Sequence, residues 1–98
     1  MPHRHVKRKT RVYHAVNPTF RGTGRVPDAY VLVAEVDTHS LTQAFALTNH
    51  TDEDWPLNEG VRPIGDAFRS TSVGDVIVTP DNLAYLVLPI GFRFLGEF

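Results

Sequence analysis

The residue types that could do chemistry gather in Arg69-Ser-Thr-Ser-Val-Gly-Asp75, where a guanidinium, three hydroxyls, a glycine and a carboxylate fall within seven residues. Backbone amides around such a glycine, together with hydroxyls and an arginine, can hold an anion such as a phosphate. The same run has a structural use. Glycine permits the tight backbone of a strand entry, and Asp and Ser side chains satisfy amides that the ladder does not reach. A second cluster is Asn49-His-Thr-Asp-Glu-Asp-Trp55. It could be a recognition loop, with Trp55 as the anchor and the acids orienting a basic partner, or Trp55 could plug one end of a sheet. The partner-binding candidates are therefore Asn49, His50, Trp55, Arg69, Ser70 and Ser72.

His14, His39 and His50 are the remaining acid–base candidates, with Asp52, Glu53 and Asp54 as possible carboxylate partners. Local structure accounts for two of them: His39 falls in a helix-capping segment, and His50 falls at a helix end, where the dipole favours a cation. A small hydrolase or nuclease would need His50 and those acids to converge in a cleft. His3, His5 and His14 make no preformed metal site, and there is no cysteine to supply a thiolate ligand, nucleophile or disulfide. No catalytic residue, cofactor or metal is expected.

The charge is segregated. Arg4, Lys7, Arg8, Lys9, Arg11, Arg21 and Arg25 put seven of the ten cations in the first 25 residues, and all eleven acids follow them. Such an arm meets a polyanion or folds back on its own acidic body. Arg4, Lys7, Arg8, Lys9 and Arg11 are the nucleic-acid candidates, and contacts of that kind weaken steeply with salt.

These groups must be positioned by a small body. Ninety-eight residues, 42% of them hydrophobic, support one domain with a modest core. Residues 1–8 lack periodicity and read as a basic tail, leaving 9–98 as the domain. Strands are expected at Lys9–Val16 and at Tyr30–Val36, the second near the sheet centre because it is almost continuously apolar. Ser40 and Gln43 fit a capping box ahead of Leu41, Ala44, Phe45 and Thr48, which predicts a helix over 41–49. A long loop to about Phe68 follows. Pro80-Asp-Asn82 joins strands at Asp75–Thr79 and Leu83–Leu88, and Phe92–Leu95 forms a last, edge-lying strand. The expected fold class is α+β, a mostly antiparallel sheet of four to five strands with one helix on one face.

The helix ending Ala-Phe-Ala-Leu-Thr-Asn49, the Trp55 after it, the Arg69-Ser-Thr-Ser-Val-Gly-Asp-Val-Ile segment and the closing Tyr-Leu-Val-Leu-Pro-Ile-Gly-Phe92 together resemble the YodL-like domain family over about residues 30–96. That resemblance implies a small accessory domain of bacteria or their mobile elements and brings no catalytic residues with it. The longest apolar run, Leu83–Phe92, is about half the roughly 20 residues of a membrane-spanning helix, so no membrane is expected. The expectation is a non-enzymatic, cytoplasmic binding module acting on a protein partner, with nucleic-acid binding through the arm as the alternative. An edge-to-edge homodimer through the last strand is a possible assembly.

Overall fold

The computed structural model describes residues 9–16, 30–49, 54–66 and 68–98. Six strands, β1 (Thr10–Ala15), β2 (Tyr30–Val36), β3 (Val61–Pro63), β4 (Val76–Val78), β5 (Leu83–Val87) and β6 (Phe92–Glu97), form one sheet in the order β3-β2-β1-β4-β5-β6. Every pairing is antiparallel. Among the described residues the single α-helix, α1 (Leu41–Leu47), packs on one face. The α+β class is as expected.

The sheet has one more strand than the four to five expected, because the segment between α1 and Phe68 is not one irregular loop. A 3-10 turn, Trp55–Leu57, begins with Pro56 in its first positions, where a missing N–H costs nothing. Gly60, at φ +81, then turns the chain so that its carbonyl accepts from Asp37 N at 2.8 Å and β3 aligns on Ala34–Val36. β3 takes the sheet edge beyond β2, so β2 is next to the edge and the central positions belong to β1 and β4.

α1 starts where the capping residues put it. Ser40 Oγ accepts from Gln43 N at 3.1 Å, and Gln43 Oε1 accepts from the Thr38 hydroxyl at 2.6 Å, a relay variant of the capping box. The helix stops at Leu47 rather than 49, because Thr48 is its C-cap. The β4–β5 hairpin turns through Pro80-Asp-Asn82, with Asn82 in the left-handed region at φ 68. This is the three-residue loop in which a type I turn ends on a left-handed residue.

Alternation along the strands sorts side chains to two faces. Val12, Val36, Ile77 and Val87 pack under α1 with Ala44 and Trp55. Val76, Val78, Ala84 and Leu86 form a second cluster on the opposite face, against Tyr13, Tyr30, Leu88 and Leu95. Among the described residues no helix is long and apolar enough to cross a membrane.

Candidate functional site

The serine- and threonine-rich turn folds around one carboxylate. Gly74 sits at φ +94, a conformation L side chains avoid, and this tightens the turn so that Asp75 N bonds Ser72 O at 3.1 Å. The Asp75 carboxylate, 0% exposed, then collects four donors. Oδ1 accepts from Ala15 N at 2.8 Å and from the Arg69 guanidinium at 2.7 Å. Oδ2 accepts from Ser72 N at 2.8 Å and from the second arm of Arg69 at 2.7 Å. Arg69 also donates to the carbonyls of Ala15 and Ser70 and to Ser72 Oγ. The bidentate geometry and the extra amides are what make a buried ion pair tenable. An anion cradle would need these donors facing outward; here they converge on the protein's own carboxylate.

His14 lies beside this pair. Its Nε2 is 2.8 Å from Thr71 Oγ1 and 3.9 Å from Asp75 Oδ2. The direction of the protons follows from the neighbours. Thr48 donates its hydroxyl proton to Ala44 O at 2.8 Å, and Thr71 donates to Thr48 Oγ1 at 2.7 Å. A hydroxyl has one proton to give, so Thr71 can only accept from His14, which is therefore the Nε2–H tautomer. The ring is 5% exposed, and burial, reinforced by the Arg69 charge and partly offset by Asp75, lowers its pKa to about 4. His14 is neutral at physiological pH. The trio of Thr71, His14 and Asp75 resembles a nucleophile–base–acid set by composition only, because both partners sit on the same ring nitrogen and Thr71 is 2% exposed.

Trp55 closes the cluster from the α1 side. It is 0% exposed, its indole N–H donates to Arg69 O at 2.8 Å, and its ring meets Phe68 and His14 edge-on at 5.1 and 6.3 Å between centroids. It plugs the sheet and offers no side-chain surface to a partner. An open cavity of about 420 Å³ lies outside the cluster, walled by Val16, Val31, Val33 and Phe68 with His14 and Arg69. Its walls are mainly apolar, and the guanidinium on its rim is already engaged with Asp75.

Of the other residues singled out, Asn49 donates its side-chain amide to Phe45 O, finishing the helix, and Ser70 and Ser72 belong to the turn around Asp75. His50, Asp52 and Glu53 lie outside the described residues, as do Arg4, Lys7 and Arg8. Among the described residues no three His, Asp or Glu side chains gather to hold a metal.

Lys9 immediately precedes β1 and is exposed. Arg11 is in β1, on the face opposite α1. Its guanidinium lies 5.2 Å from the Phe98 ring centre and 5.9 Å from that of Tyr13, donates to the Tyr13 hydroxyl at 3.2 Å and bonds Asn82 Oδ1. The Tyr13 and Phe98 rings are 4.8 Å apart. The register runs one row across all six strands on this face, Arg62, Glu35, Arg11, Val78, Ala84 and Gly96, and a parallel row that ends on Arg93 opposite Leu86. Arg62 and Glu35 pair at 3.0 Å. Tyr13, Arg62, Arg93 and Phe98 were not singled out from the sequence. The alternation Lys9-x-Arg11-x-Tyr13 was a legible signal for the first; the others depend on strand order.

No family model, curated protein or solved structure matches the chain. The resemblance to YodL-like domains rests on the quoted segments alone.

Proposed function

We propose that this chain is a non-enzymatic binding module whose working surface is the sheet face opposite α1. One observation carries the reading: every proton in the His14–Thr71–Thr48 chain is directed inward, and Asp75 already holds four donors, so the constellation with catalytic residue types among the described residues is occupied in holding the fold. Trp55, Arg69, Ser72 and Asn49 are likewise engaged internally. This reading moves the contact surface to the face opposite α1, where Arg62, Arg93 and Phe98 are exposed beside Arg11 and Tyr13. An accessory role in bacteria or their mobile elements, and a cytoplasmic location, are the setting that the sequence resemblance and the absence of cysteine support.

Assembly through β6 is the less favoured arrangement. The β5–β6 register shifts between Ala84 and Tyr85, with Leu95 as the extra residue, and a bulge in an edge strand blunts addition of a second copy.

The reading is tested by a pH titration of the His14 imidazole nitrogens by NMR. The expected result is the Nε2–H tautomer persisting down to an apparent pKa of about 4. Titration near 6.5, or an Nδ1–H tautomer, would return His14 to acid–base chemistry and overturn the non-enzymatic reading.

A further inference from the structure

We infer that the face opposite α1 binds single-stranded nucleic acid, with phosphates held by Arg11, Arg93 and Arg62 and bases stacked on the Tyr13–Phe98 pair. This names the partner of the proposed module and rests on that reading. Three features of the face lead to it.

The first is charge. The whole chain carries −1, yet the register places Arg11, Arg62 and Arg93 on this face against Glu35, and alternation beyond the strand ends adds Lys9 and Asp37 to it. The Arg62–Glu35 pair is exposed, with the Arg62 side chain 75% accessible, so a phosphate can take over that guanidinium at little cost. The second is the aromatic pair. Phe98 is 58% exposed although it stands within 4.8 Å of Tyr13 and under a guanidinium, an arrangement that offers a ring face and a cation together. Base–aromatic stacking next to arginine is how strands are held without sequence preference, since every base has a π face.

The third feature is span. Five inter-strand steps separate Arg62 on β3 from Arg93 on β6, roughly 24 Å at the usual strand spacing. Arg11, Tyr13 and Phe98 lie between them, over the buried cluster of Val76, Val78, Ala84 and Leu86 on the middle strands. A flexible single strand can follow such a row of cations and rings. A duplex keeps its bases stacked inside and would leave the aromatic pair unused.

The test is a fluorescence-anisotropy titration of the full chain with 10-mer oligo(dT), 10-mer oligo(U) and a mixed-sequence duplex across a salt series. Parallel titrations use Phe98→Ala and Arg93→Ala, both on exposed side chains and checked for an unchanged thermal transition. The expected result is binding to either single strand more tightly than to duplex. With three phosphate contacts on the face, the log–log salt slope should be about −2 or steeper. Phe98→Ala should weaken affinity roughly tenfold with the slope intact, as loss of a stacking platform does. Arg93→Ala should reduce the slope by about 0.7. Binding that neither substitution alters would place the contact on residues 1–8 and overturn the inference, as would preference for duplex or no binding at low salt. None of these outcomes would change the His14 titration, so failure here and failure of the module reading are told apart.

Discussion

β1 separates two regions with one strand. Val12 and His14 point toward α1, into a centre where each polar group has a named partner, whereas Arg11 and Tyr13 point the other way, into a face where a guanidinium and two rings meet solvent. The first region contains the residue types usually associated with chemistry: a histidine, a carboxylate, an arginine and threonines. They are neutral or paired and mutually satisfied, and all but the half-buried Arg69 are buried. The second contains residues that look unremarkable one at a time and become a surface only when six strands set them side by side. Chemistry-bearing types are therefore a poor guide to the proposed working surface, and hydrogen-bond direction is a better one.

The sharpest way to break the comparison is to remove the carboxylate. Asp75→Ala leaves the Arg69 guanidinium next to an apolar wall and strips Ala15 N and Ser72 N of their acceptor. Losing one partner of a buried pair costs about 3–5 kcal/mol, a large fraction of the stability of a domain this size. Urea denaturation should show a midpoint lowered by about 1–5 M. A wild-type midpoint would mean that the cluster does not hold the fold. Trp55→Ala should cost a comparable 3–5 kcal/mol or so through the cavity it leaves, while Trp55→Phe should lose only about 1–2 kcal/mol for the indole bond to Arg69 O.

Acid should act on the first region through His14. The folded-state pKa of His14 lies near 4 against 6.5 in the unfolded chain, so between those values the unfolded state binds the extra proton. Stability is then full above about pH 6.5 and falls by about 3 kcal/mol as pH drops to 4, with no further contribution from this group below. Thermal melts between pH 4 and 7 should show that slope in the wild type and a flatter profile in His14→Phe. The smallest stability effect belongs to the other region. Arg93→Ala or Phe98→Ala should change stability by no more than about 0.5–1 kcal/mol, since both side chains are exposed.

Much of the frame was legible in the sequence for local reasons. Ser40 and Gln43 marked the helix start, Pro80-Asp-Asn82 marked the hairpin, and Gly74-Asp75 read equally as a strand entry, which is how it is built. β3 was not legible, because three residues ending on Pro63 carry little strand propensity of their own. Their conformation comes from pairing with Ala34–Val36 after the Gly60 turn. The His14–Thr71–Thr48 chain joins residues 57 and 23 apart and required tertiary contacts to be seen. The arginine face is non-local in the same way: Lys9, Arg11 and Tyr13 alternate visibly, but that Arg62, Arg93 and Phe98 join them follows from a strand order in which sequence neighbours are not always sheet neighbours.

The most direct measurement is a residue-by-residue map of backbone amide shifts in the full chain as 10-mer oligo(dT) is added. The account predicts changes centred on Arg11, Tyr13, Leu86, Arg93 and Phe98, with His14, Thr71 and Asp75 unmoved. Changes centred on His14, Arg69 and Thr71, or none at saturating oligonucleotide, would contradict the division of labour between the two regions.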